Sequence, residues 1–127
     1  MKPNELLIGD WVQVPSLIDD VEQYNAWCKV KQLRDCDLDV IGFKELKYNE
    51  IAPIPITLEI LEKLGWRKIG RKTYMDEQMC VLANHYDDKW QMSYGGIDDY
   101  TNIPNIRYVH ELQHALRLCG IEKEIEL

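Results

Sequence analysis

The segment 108–120, YVHELQHALRLCG, contains the pattern H-E-x-x-H at His110, Glu111 and His114. On a helix this spacing places two imidazoles one turn apart, where both could bind one Zn²⁺ while the glutamate activates the bound water. The extended motif fails, because an arginine and a glycine stand where it requires a glycine and a histidine. We therefore expect no catalytic, cofactor-binding or metal-binding residue, and keep zinc-dependent hydrolysis at 110–114 as the alternative.

The helix that would carry this motif is predicted over 107–119, ended by Gly120. Helical periodicity groups its apolar residues into one stripe that we expect to be buried. That stripe consists of Tyr108, Val109, Leu112, Ala115, Leu116 and Cys119. The same periodicity places His110 and His114 on the opposite face, so we expect both histidines to face solvent.

A second pattern with chemical meaning is the acidic run Asp35-x-Asp37-x-Asp39, which resembles the start of a calcium-binding loop. Val40 replaces the glycine that such a loop requires, and Leu46 replaces its final glutamate. We interpret the run as the solvated outer face of a strand. Two other acidic pairs are interpreted as turn residues, Asp87-Asp88 and Asp98-Asp99.

The four cysteines form no C-x-x-C pair, so the sequence indicates neither a zinc ribbon nor a redox dithiol. We expect them to be reduced, buried packing residues: Cys28, Cys36, Cys80 and Cys119. The two serines, Ser16 and Ser93, do not lie in a G-x-S-x-G context, and the glycines form no nucleotide-binding fingerprint.

Charge limits the classes of partner. The formal net charge of −7 and the isoelectric point near 4.9 argue against sequence-independent binding of nucleic acid, which requires several cations on phosphates. The sequence has neither an apolar run long enough to cross a membrane nor the pattern of a secretory signal. We expect a cytoplasmic protein that binds neither nucleic acid nor membranes.

The first part of the chain, 1–55, reads as short strands. Alternating residues predict strands that begin at Trp11, span 26–33 and follow Asp35, although a helix over 17–30 competes with the second. Several short strands separated by turns suggest a small β-barrel.

The second part, 56–127, is predicted to contain a helix, a small antiparallel sheet and the final helix, which makes the whole chain α+β. Thr57 can cap the first helix, whose apolar stripe would be formed by Leu58, Leu61 and Leu64, and Gly65 would end it. Strands are predicted at 66–69, 72–75, 79–85 and 89–94. The segment 97–106 is predicted to be an ordered loop.

Three stretches carry a family resemblance: NELLIGDWV at the amino terminus, IAPIPITLEILEKLGW in the middle and IRYVHELQHALRLCGIEKEIEL at the carboxyl terminus. They resemble a family of small bacterial proteins associated with prophages and mobile elements. The resemblance implies an SH3-like form for the barrel, but no activity, cofactor or partner. The pattern associated with the last helix, aromatic-Val-His-x-Leu-Gln, includes His110 and Gln113 and requires neither Glu111 nor His114.

Aromatic residues suggest a function for this chain, because four tryptophans and seven tyrosines stand against one phenylalanine. Tryptophan and tyrosine are prominent at interface hot spots and are also ordinary strand residues. We assign Trp11 and Trp66 to the core and leave four others open: Trp27, Trp90, Tyr94 and Tyr100. The expected function is a non-enzymatic protein-interaction or adaptor module with an unknown protein partner, and homo-oligomer formation is left open.

Overall fold

The structure is a computed structural model and describes residues 1–18, 21–77, 79–86, 89–95, 100–121 and 125–127. The chain divides into two compact units, Met1–Ile54 and Pro55–Leu127. Each unit has an antiparallel sheet of its own, and the described helices belong to the second. The α+β prediction is confirmed. Among the described residues, no helix is long and apolar enough to span a membrane.

The amino-terminal unit contains a four-stranded sheet in the order β1-β2-β3-β4. Its strands are β1 (Trp11–Ile18), β2 (Val21–Leu33), β3 (Asp37–Val40) and β4 (Phe43–Lys47). One further backbone bridge joins Gln13 of β1 to Ala52, which follows a 3₁₀ turn at Tyr48–Glu50. Within the described part of this unit the sheet does not close into a barrel, so the predicted SH3-like barrel is not confirmed.

Alternate residues of β3 form part of the inner side of this sheet, as predicted. Leu38 and Val40 are buried, while Asp37 and Asp39 point to the other face. The core of the unit also takes aliphatic residues from β1, β2 and the flanking segments: Leu6, Val12, Val14, Cys28, Val30, Tyr48 and Ile51.

Two features of this unit go beyond the prediction. Of the two alternatives for the second element the strand is the one observed, and it starts earlier than predicted: β2 pairs with β1 from Val21 to Lys29. Strand β4 was not predicted, because its residues are mostly exposed and therefore lack the alternation that signals a strand. A positive φ of 55° at Glu45 further interrupts its regularity.

The carboxy-terminal unit contains a five-stranded meander in the order β5-β6-β7-β8-β9. Its strands are β5 (Arg67–Gly70), β6 (Thr73–Met75), β7 (Val81–Tyr86), β8 (Lys89–Gly95) and β9 (Tyr100–Ile106). Helix α1 (Leu58–Lys63) precedes the sheet and helix α2 (Val109–Leu118) follows it.

Strand β9 replaces the loop predicted over 97–106, of which residues 97–99 lie outside the described part. The prediction failed because Pro104 and its Asp and Asn neighbours are typical of loops. Proline is tolerated in a sheet at its edge, where a strand needs partners on one side only. Strand β9 has that position, since it pairs with β8 and is the last in the order.

Helix α1 begins and ends as predicted, but it buries a different face. The Thr57 Oγ1 accepts a hydrogen bond from the Ile60 backbone N–H at 3.2 Å, and Gly65 has a φ of +89°. Ile60 and Leu61 are buried, whereas Leu58 is 52% exposed. The predicted stripe of three leucines is therefore right for Leu61 and wrong for Leu58, and Leu64 lies just beyond the end of the helix, where it is half-buried.

Candidate functional site

The H-E-x-x-H residues lie at the start of α2, and the structure contradicts the predicted solvent-facing position of the histidines. His110 is only 5% exposed and His114 is half-buried. The His110 ring stacks on Tyr108, with ring centroids 5.9 Å apart and an angle of 8° between the planes. The His114 ring meets the His110 ring edge-on, with ring centroids 5.7 Å apart. The helix therefore buries a broader face than the apolar stripe alone, which supplies Val109, Leu112, Ala115 and Leu116 as predicted.

Glu111 has a structural role at the beginning of α2. Its Oε1 accepts hydrogen bonds from the backbone N–H groups of Arg107 at 3.0 Å and Tyr108 at 3.2 Å. This contact is one half of a capping box, in which a glutamate three residues into the helix reaches back to the N-cap. The carboxylate that a zinc hydrolase would use as a general base is thus bound to the backbone of its own helix.

The described residues include no group of three or more His, Cys, Asp and Glu side chains placed to hold a metal ion. Three further residues that could act as a third ligand lie outside the described part, namely the side chain of His85 and the residues Glu122 and Glu124. Within the rest of the chain, the histidine pair of α2 is brought together without a third ligand.

Replacement of Glu111 tests its role as a helix cap. We expect Glu111→Ala to lower the free energy of unfolding by about 1 kcal/mol, because two backbone N–H groups lose their acceptor. Glu111→Gln should cost less, because its amide oxygen can accept the same bonds. Denaturant titration of both variants measures the difference. Equal losses would show that the carboxylate acts through its charge rather than as a hydrogen-bond acceptor.

Arg34 binds two carboxylates of the acidic run. The guanidinium pairs with the Asp37 carboxylate and bonds Asp39 through both terminal nitrogens, Nη2 to Oδ1 at 2.6 Å and Nη1 to Oδ2 at 3.2 Å. Asp39 Oδ1 also accepts the Glu45 backbone N–H at 2.8 Å. These bonds, led by the one from Arg34, lower the pKa of Asp39 to about 2. Asp35 is exposed, so the three carboxylates do not form one site.

The cysteines are all unoxidised, but they differ in burial. Cys28 and Cys80 are buried as predicted, and Cys119 is half-buried. The prediction is wrong for Cys36, which is exposed because β3 begins one residue later, at Asp37. Burial raises the pKa of the Cys28 and Cys119 thiols, which disfavours the reactive thiolate.

The structure describes some of the other residues that the sequence singled out. Trp11, Trp66 and Trp90 are buried, Tyr94 is half-buried and Trp27 is exposed. Three sets lie outside the described residues or side chains: Asp87-Asp88, Asp98-Asp99, and the side chains of Ser16 and Tyr100.

One face of the amino-terminal sheet combines aromatic, aliphatic and cationic residues. We name it the tryptophan face and define it as Trp11, Trp27, Lys29 and Ile41. Trp11 lies directly opposite Lys29 in the β1–β2 register, and Trp27 is two residues from Lys29 on the same strand. The backbone N–H of Ile41 bonds the Lys29 carbonyl at 2.9 Å. Trp27 and Lys29 alternate along β2 with buried Cys28 and Val30, so their side chains lie on the other face of the sheet, where Trp11 is itself only 8% exposed.

Exposure on the tryptophan face is high for such large apolar side chains. Trp27 is 42% exposed and Ile41 is 61% exposed. The Lys29 ammonium lies 5.4 Å from the centre of the Trp11 ring, a distance at which a cation and an indole attract each other. The face therefore presents an apolar surface with a positive charge at its centre.

The carboxy-terminal unit has a cavity of about 380 Å³. Its walls come from the start of α1 and from strands β5 to β8: Ile56, Thr57, Leu58, Lys68, Lys72, Tyr74, Asn84 and Trp90. Sequence reasoning missed this group, because its members are spread over 35 positions of the chain, from 56 to 90, and form no spacing motif. Trp90 was left open as an interface residue, and Thr57 and Leu58 were assigned only to the first helix.

Comparison with known proteins adds no further information on this site. No family model, no curated protein and no solved structure matches the chain.

Proposed function

We propose that this protein is a non-enzymatic protein-interaction or adaptor module that binds its partner through the tryptophan face. The observation that carries the proposal is the exposure of two large apolar side chains next to Lys29: Trp27 on the same strand, and Ile41, whose backbone N–H bonds the Lys29 carbonyl. Exposed apolar groups of this size, placed together, are typical of interaction surfaces.

The chemistry of the face defines the partner. Tryptophan offers a large rigid area at low entropic cost, which makes Trp27 the anchor. The Lys29 ammonium, which lies over the Trp11 ring, adds a positive charge to the face, and this charge favours an acidic partner. The partner is therefore a protein segment that presents a large apolar side chain next to Asp or Glu.

The genetic origin and the compartment that we propose are those expected from the sequence. The module belongs to a phage or mobile element and acts in the cytoplasm, without nucleic acid or membrane. We further propose an SH3-like arrangement for residues 1–55. Its support is the return of the chain to β1 through the Gln13–Ala52 bridge, directly after the 3₁₀ turn.

Zinc-dependent hydrolysis by His110, Glu111 and His114 is the alternative function. The separation of 5.7 Å between the centroids of the two imidazole rings supports this alternative. The two backbone hydrogen bonds that the Glu111 carboxylate accepts argue against it. The interaction module is the better supported of the two.

A random peptide library displayed on phage tests the proposal. We expect selected peptides to carry an apolar residue beside Asp or Glu, and to bind Trp27→Ala about tenfold more weakly, which corresponds to about 1.4 kcal/mol. Lys29→Glu should reverse the preference from acidic to basic peptides.

The matched control is Ile69→Ser, which replaces an exposed aliphatic residue of the other unit and should leave peptide binding unchanged. Peptides that bind the Trp27 and Ile69 variants equally well would contradict the proposal. So would a selection that yields basic peptides against the unaltered protein.

A further inference from the structure

Two aromatic residues and one aliphatic residue form the apolar floor of the cavity in the carboxy-terminal unit. Tyr74 and Trp90 are both nearly buried, and their rings meet edge-on with centroids 5.9 Å apart. Leu58, the first residue of α1, lines the same cavity with half of its surface exposed. Two aromatic rings and an aliphatic side chain provide the contacts that a flat ring prefers.

Polar groups converge on this floor from the same face of the sheet. Lys68 is the cross-strand partner of Tyr74, and Asn84 is that of Trp90, so these side chains point to one side. Lys72, in the turn between β5 and β6, adds a second ammonium. Within the described part of the chain, neither lysine has a carboxylate partner.

The backbone at Lys72 is strained in a way that points to the side chain. Its φ of 59° lies in the left-handed region, which glycine adopts without cost and lysine does not. Its carbonyl accepts the Asn84 backbone N–H at 2.9 Å, which fixes this conformation. Residues held in such conformations are concentrated at ligand sites, where the strain is kept for the position it gives a side chain.

We infer that this cavity binds a small organic anion, a flat ring that carries a carboxylate or a phosphate. The volume of about 380 Å³ lies within the range of small-molecule sites. The ring lies against Tyr74 and Trp90, and the two lysines neutralise the anionic group. The Asn84 amide nitrogen, at the same wall, donates to the Lys89 carbonyl at 3.3 Å. This site is separate from the tryptophan face, and either can fail without the other.

Benzoate and phenyl phosphate are the probes, with neutral benzamide and inorganic phosphate as comparisons. Binding is followed by the indole N–H signal of Trp90 in a heteronuclear NMR spectrum, assigned with Trp90→Phe. We expect saturable shifts with one or both aromatic anions, and the stronger of the two identifies the anionic group. Shifts of equal size with benzamide, or equal binding of inorganic phosphate, would overturn the inference.

Replacement of the two lysines tests whether they hold the anionic group. Lys68→Gln and Lys72→Gln should each raise the Kd about tenfold, and Lys63→Gln, an exposed lysine of α1 outside the cavity, should not change it. Lys72→Gly should raise the melting temperature and weaken binding, because it relieves strain and removes charge. Unchanged affinity in both Lys68→Gln and Lys72→Gly would reject the assignment.

Discussion

Leu112→Ala is expected to lower the free energy of unfolding by about 2–5 kcal/mol, the usual cost of a cavity in a packed core. Leu112 is fully buried in the middle of α2, and Leu116, one turn later, is nearly so. Alanine keeps the helix propensity high, so the loss reports packing and not helix formation. A denaturant titration should show a lower midpoint and an unchanged slope.

The matched control for this experiment is on the same helix. Leu118 is the last residue of α2 and is 77% exposed. Leu118→Ala deletes the same side-chain atoms as Leu112→Ala, but at a position that faces solvent, so it should change stability very little. If both leucine variants were destabilised equally, the buried face of α2 would be assigned wrongly.

Asp76→Ala is expected to lower the free energy of unfolding by about 1–3 kcal/mol. Asp76 is fully buried, and its Oδ1 accepts the backbone N–H of buried Cys80 at 2.8 Å. Its backbone also bonds Cys80 and Met79, which closes the turn between β6 and β7. Removal of the carboxylate takes an acceptor from a buried donor, so the cost is that of a lost buried hydrogen bond.

Glu77 provides the comparison for the second experiment, because it is an acidic residue of the same turn whose side chain is exposed. Glu77→Ala should change the thermal midpoint very little, and Asp76→Asn should fall between the two alanine variants, since it retains an oxygen acceptor. Equal midpoints for Asp76→Ala and Glu77→Ala would mean that net charge, not the hydrogen bond to Cys80, is responsible.

Part of this fold could be predicted from sequence because its signals are local. The cap at Thr57, the left-handed Gly65 and the alternation of Leu38 and Val40 depend on residues within a few positions of each other. The same holds for the buried leucines of α2. Local periodicity determines which residues share a face, and capping and turn residues determine where an element ends.

The remaining features depend on what each face meets, which no local pattern contains. His110 is buried although helical periodicity places it opposite the apolar stripe, and Pro104 lies in a strand because β9 is at a sheet edge. Lys68 and Asn84 reach one cavity only through the register of four strands. Periodicity groups residues within an element, but only tertiary packing brings residues from separate elements together, and the tryptophan face and the cavity are both built in this way.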